Sequence, residues 1–126
     1  MIVMKFGGTS VGDAAAIRRT AQTVRGRLAR GPVVVVSALA GTTNALLAAA
    51  EQAAAGNLVS AITTVQQLRQ RHLAAVTDLI GSGPDAHDLA ATESVHLDEL
   101  AHLVEALSVL GHVTPRSIDA ISSLGE

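Results

Sequence analysis

Residues 1–12 read MIVMKFGGTSVG, and the rest of the chain is organised around them. Ile2, Val3 and Met4 form a short apolar run, Lys5 and Phe6 follow, and then come Gly7, Gly8, Thr9 and Ser10. Strand, glycine turn and helix start is an order suited to phosphate. Glycines let backbone N–H groups approach an anion closely because no Cβ stands in the way. A helix behind them points its unpaired N–H groups and positive dipole end at the same place. Lys5 adds a mobile point charge. The bare pattern also fits a plain turn. It is neither the G-x-x-x-x-G-K-[ST] loop nor the G-x-G-x-x-G dinucleotide pattern.

Working outward, residues 2–6 read as a buried strand, and the period changes near Gly12. Ile17, Ala21, Val24 and Leu28 fall at helical spacing, with Arg18, Arg19, Arg25, Arg27 and Arg30 on other faces as a solvated surface. Asp13 or Ser10 can cap this helix of about 17 residues, and Gly31-Pro32 ends it. Val33 to Val36 are four β-branched residues in a row, the pattern of a strand buried on both faces of a parallel sheet. Together these make a βαβ unit with a right-handed crossover. Ligands of such sheets bind at the carboxyl ends of the strands. Those ends carry Lys5 to Gly8 on the first strand and Ser37 on the second.

The loop from Ser37 leads to Thr42, Thr43 and Asn44, where a helix over 43–55 begins. Thr42 or Thr43 can cap that helix or contact a ligand, and the two roles are compatible. Further helices are expected over 58–80, with Ile62, Val65, Leu68, His72, Val76 and Leu79 on one stripe, and over 85–110, with Leu97, Leu100, Leu103, Leu107 and Leu110. Gly111 ends the latter. Thr114-Pro115 starts a last helix carrying Ile118, Ile121 and Leu124.

Composition narrows the function. The 126 residues suit one domain, and 48% are hydrophobic, so a core forms; with Phe6 the only aromatic residue, that core is aliphatic. A net charge of -2 argues against nucleic-acid binding. No run approaches the roughly 20 apolar residues of a membrane span. No basic leader precedes a long apolar run, so no signal peptide is expected. There is no cysteine, and none of the five histidines forms a pair with zinc-ligand spacing. Asp98 and Glu99 read as helix surface rather than an acid/base pair. A cytoplasmic protein is expected.

Three pieces line up in order: Lys5-Phe6-Gly7-Gly8-Thr9-Ser10-Val11; Val34-Val35-Val36-Ser37-Ala38 with Gly41-Thr42-Thr43-Asn44; and Leu110-Gly111, Thr114-Pro115-Arg116-Ser117 and Ser123-Leu124-Gly125-Glu126. Together they resemble the first three motif blocks of the aspartokinases, in the amino acid kinase superfamily. The resemblance implies an α/β fold: the N-terminal part, residues 1–126, of a three-layer αβα sandwich with parallel strands, helix-rich in this stretch. It implies transfer of the γ-phosphoryl group of ATP, with Mg2+, to the side-chain carboxylate of L-aspartate, which opens the route to lysine, methionine and threonine. Lys5 would be catalytic, stabilising charge on the phosphoryl group. Lys5, Phe6, Gly7 and Gly8 would bind ATP phosphates, and Ser37, Thr43 and Glu126 would bind aspartate. The acceptor carboxylate, with a reference pKa of about 3.9, is already ionised at neutral pH, so no general base is needed. Glu126 then suits the substrate ammonium.

The family's catalytic domain is about twice this length, and the chain stops at Glu126 inside a helical pattern. The expectation is therefore an N-terminal portion, inactive alone, without the later ATP-binding half or the regulatory ACT domains, and homo-oligomeric when full length. Its exposed sheet edge could pair with another copy. An amino acid kinase with another acceptor, or a non-catalytic helical interaction module, are the competing readings.

Overall fold

A computed structural model describes all residues, Met1–Glu126. The chain divides into two compact units, Met1–Gly41 and Thr42–Glu126.

The first unit is the βαβ element. Strand β1 (Ile2–Phe6) and strand β2 (Pro32–Val36) pair in parallel, Ile2 opposite Pro32 through Phe6 opposite Val36. Between them, the helix expected from an Asp13 or Ser10 cap begins at Asp13 and is interrupted once, after Arg25, with a separate 3-10 turn ahead of it. A 3-10 turn covers Gly8–Val11, helix α1 covers Ala14–Arg25, and a second 3-10 turn covers Leu28–Arg30. Of the two expected caps Asp13 is the one used: its backbone is extended, and its carboxylate accepts from the Ala16 N–H at 2.7 Å and starts α1 there. At the other end Gly26 closes α1, and its N–H bonds back to Gln22 and Val24. Gly31 then turns the chain into β2 in the left-handed conformation, φ 56°.

The expectation that Val33 to Val36 are buried on both faces fails. These valines remain 40–51% exposed. Burial of both faces needs covering layers, and the sheet has only two strands. The helix stripe shares this fate. Ile17 and Val24 are half-buried, Ala21 is exposed, and Leu28 is 60% exposed. Together with Val34 and Val36 they line an open apolar groove of about 480 Å³. The arginines of this segment are largely exposed, as expected.

The second unit is an all-helical cluster: α2 (Thr42–Ala54), α3 (Leu58–Ile80), α4 (Pro84–Leu110) and α5 (Pro115–Ser123). Here lies the core. Ala49, Ala50 and Ala53 of α2 pack with Ala61, Val65 and Leu68 of α3, with Leu97, Leu100, Val104 and Leu107 of α4, and with Ile121 of α5. Alanine lets α2 approach its neighbours closely, and it is also the strongest helix former. Burying one Val or Leu side chain contributes about 1.5–3 kcal/mol. In α4, Val104 is buried, whereas Leu103 is half-buried and Leu110 is 63% exposed. A step of three residues falls about 60° short of a full turn, so Leu103 and Leu110, each three after a buried leucine, sit at the edge of the buried arc while Val104 lies within it.

The helix ends follow local chemistry. Gly111 closes α4 in the left-handed conformation, φ 74°, its N–H bonding to the Leu107 carbonyl. Thr114 opens α5 with a reciprocal capping box: its hydroxyl accepts from the Ser117 N–H at 3.1 Å, and the Ser117 hydroxyl accepts from the Thr114 N–H at 2.8 Å. No helix is long and apolar enough to cross a membrane.

Candidate functional site

The parallel register brings the expected residues of the first unit together at the carboxyl ends of the strands. Lys5 stands opposite Val35 and Phe6 opposite Val36. The ladder runs one bond further, because the Ser37 N–H donates to the Phe6 carbonyl at 3.1 Å. Ser37 is thereby fixed beside the start of the glycine loop. Its Oγ lies 3.8 Å from where a Cβ on Gly8 would stand, and its hydroxyl donates to the Ala38 carbonyl at 3.2 Å.

The loop is held from behind. The Ser10 N–H bonds to the Gly7 carbonyl at 2.9 Å, and the Thr20 hydroxyl of α1 donates to the Ser10 carbonyl at 2.7 Å. Its front is bare. Gly7 has φ -80° and ψ 177°, which any residue adopts, and a Cβ there would meet nothing within 4 Å. At Gly8 φ is also not positive, and a Cβ would meet only ordinary contacts at 3.6 Å and beyond. Neither glycine is required by its own backbone angle or by packing within the chain.

Electrostatics point the same way. Lys5 is exposed and makes no hydrogen bond or ion pair. The only carboxylate in Met1–Gly41 is Asp13, which is committed to the end of α1. This corrects one expectation. The α1 N-terminus does not lie directly behind the glycine pair, because its positive end is offset by Asp13 and the 3-10 turn Gly8–Val11 stands between. The donors at this edge are therefore Lys5 and the loop N–H groups.

Thr43 and Glu126 belong to the second unit, and both are exposed. The capping role open to Thr42 or Thr43 is not taken up. Thr42 is the first residue of α2 and is 2% exposed, and its Oγ1 has no hydrogen-bond partner. Thr43 likewise makes no side-chain hydrogen bond. Two features here escape a reading of the sequence: the burial of Thr42, and the packing of Gly125. Gly125 lies against the first turn of α2: a Cβ on it would stand 2.8 Å from Leu46 Cδ1 and 3.2 Å from Thr42 Cγ2. The one sequence signal for that contact is a glycine just past the last helix, which an ordinary helix stop explains equally well.

The histidines and acids of α3 and α4 form no metal-ligand cluster. His72 on α3 bonds through Nδ1 to the Leu68 carbonyl at 2.8 Å. Asp98 pairs with Arg69 at the surface, as a helix-face residue.

A parallel strand pair joined through a helix, ending in a bare glycine loop beside an unpaired lysine, places the chain in the α/β class. Over residues 1–126 the sequence matches the amino acid kinase family, and the chain belongs to that family. Within it, the resemblance is to aspartokinases. The chain is 33% identical over 129 residues to aspartokinase 3, chloroplastic, of Arabidopsis thaliana, a match covering 98% of this chain and 21% of that protein. Escherichia coli aspartokinase III, solved in complex with lysine and aspartate, superposes over all of this chain with a TM-score of 0.81 and 30% identity. The same enzyme in complex with aspartate and ADP gives a TM-score of 0.74 and 27% identity. The chain spans about a fifth of the length of the curated relative, and 26% of each solved chain.

Proposed function

We propose that this chain forms the opening part of an aspartokinase catalytic domain, which transfers the γ-phosphoryl group of ATP to the side-chain carboxylate of L-aspartate to give 4-phospho-L-aspartate. One observation carries the reading. Gly7 and Gly8 are kept bare beside an unpaired lysine although neither the backbone nor the packing of this chain calls for glycine. Close approach of a ligand to the backbone supplies the missing reason. The likeness to a structure solved with aspartate and ADP supports the choice of that ligand.

The chemistry divides among the residues as follows. The acceptor carboxylate is an ionised nucleophile at neutral pH, so the enzyme's task is alignment and neutralisation of phosphate charge. The N–H groups of Gly7 and Gly8 hold phosphate oxygens next to Phe6. Lys5 draws charge from the phosphoryl group as it passes between oxygens. Ser37, its backbone held by the bond from its N–H to Phe6, turns its hydroxyl from the Ala38 carbonyl to donate to the acceptor side. Thr43 and Glu126 take the aspartate, Thr43 through its free hydroxyl and Glu126 through an ion pair with the substrate ammonium. Mg2+ enters this reading with ATP. The side chains of this chain form no cluster able to hold it, and no step is assigned to it. Cytoplasmic placement and homo-oligomeric assembly belong to the same proposal, the latter favoured by the exposed valines of β2.

The test is an acyl-phosphate trap on the full-length gene product, with MgATP, hydroxylamine and a panel of carboxylate acceptors. Aspartate-dependent hydroxamate is the expected result. Hydroxamate with another acceptor alone would reassign the substrate, and none with any acceptor would favour a non-catalytic module.

A further inference from the structure

We infer that Gly125 is a positioning residue for the acceptor amino acid: its missing side chain lets the end of α5 seat against α2, and this seat sets where Glu126 stands beside Thr43. The inference rests on the proposed function, because it takes Glu126 and Thr43 as the aspartate-binding pair.

The contact is close, and the cavity of about 20 Å³ that Leu46 and Gly125 border has room for about one water and no more. A Cβ on Gly125 would stand 2.8 Å from Leu46 Cδ1, closer than side-chain carbons approach, and 3.2 Å from Thr42 Cγ2. No positive φ explains the glycine, so space alone does. The contact joins the two candidates, since Thr42 precedes Thr43 and Gly125 precedes Glu126. Thr42 is buried while Thr43 is exposed, so the first turn of α2 packs through one threonine and leaves the other open to solvent.

Which side of the contact yields to an added methyl group decides the consequence. Leu46 is 2% exposed and belongs to the aliphatic core, with neighbours on every helix of the unit. A close-packed core resists displacement. The other side is a single terminal turn. Its N–H groups, on Leu124, Gly125 and Glu126, bond three residues back at 3.2, 3.1 and 3.4 Å. That turn is anchored by Ile121, 1% exposed, and by the half-buried Leu124. Glu126 itself is exposed and makes no side-chain bond. A methyl group at position 125 therefore lifts the turn and carries Glu126 away from Thr43, while Ile121 keeps α5 in place.

An ion pair to the substrate ammonium acts in the ground state and the transition state alike, so its displacement raises KM and spares kcat. In the full-length gene product, Gly125→Ala is expected to raise the KM for aspartate by about ten-fold or more, with kcat and the KM for ATP within about two-fold of the unaltered enzyme. Leu46→Val removes the atom that a Cβ would strike, so Leu46→Val combined with Gly125→Ala is expected to bring the aspartate KM back to within about three-fold. An unchanged aspartate KM in Gly125→Ala means that Leu46 gives way, and overturns the inference. A fall in melting temperature with both KM values unmoved assigns Gly125 a structural role only, and overturns it as well. Should Gly125→Ala not fold, the double variant decides alone: a KM near that of the unaltered enzyme supports the inference, a raised one refutes it. If the unaltered protein shows no aspartate-dependent turnover, the proposed function falls and this inference with it, an outcome distinct from turnover with an unmoved KM.

Discussion

The two units of this chain spend their residues on different things. Met1–Gly41 holds six basic side chains against one aspartate, and its run of four valines, Val33 to Val36, stays 40–51% exposed. Thr42–Glu126 holds three arginines against ten carboxylates, and keeps Ala49, Ala53, Ala61, Val65 and Val104 wholly out of solvent. The first unit carries a cationic loop with bare backbone and little core of its own. The second carries the packing. The glycine loop with its lysine and the aliphatic core thus fall in different units, and substitutions can test the division.

The largest stability effect is expected in the second unit. Leu100→Ala removes a side chain that is 1% exposed at the centre of the helical core, and should cost about 2–5 kcal/mol in a denaturant titration. A loss under about 1 kcal/mol would mean that the core is not where the stability lies. A smaller effect of opposite sign is expected at the start of α2. The Thr42 hydroxyl is buried without a protein partner, so Thr42→Val, which keeps the shape, should stabilise the chain by about 1 kcal/mol. A comparable loss instead would show that the hydroxyl is satisfied in the cavity of about 20 Å³ that Thr42 lines with His72 and Gly125. The smallest effect sharpens the comparison most. Gly7→Ala meets neither a strained angle nor a close contact, so it should raise stability by about 0.4–1 kcal/mol while weakening nucleotide binding, read by calorimetric titration with ADP. Undiminished binding would leave the glycine at position 7 without a role in holding phosphate.

Much of this was legible in the sequence because the chemistry is local. Thr114 and Pro115 announced α5, Gly111 the end of α4, and the run of valines β2, each through a preference acting within a few residues. The placing of Lys5 and Ser37 at the same end of the sheet followed from parallel topology. What the sequence concealed depended on neighbours distant along the chain. Four valines read as buried because that pattern usually has covering layers, and a two-strand sheet supplies none. The helix before β2 read as continuous because its apolar period spans 17–28, whereas Gly26 closes it locally. Gly125 gave no signal of its function, since a contact with Leu46 across 79 positions leaves no mark on the local pattern.

The central claim is that the first unit is a phosphate site rather than a turn, and the rate of aspartate-dependent hydroxamate formation by Lys5→Ala tests it most directly. Lys5 is exposed and unpaired, so its loss should leave the melting curve unchanged. Removal of a preorganised charge donor should lower the rate by about 100- to 1,000-fold in the full-length gene product. Turnover near that of the unaltered enzyme would contradict the claim, because neither residues 6–17 nor residues 31–41 hold another cation to take the lysine's place.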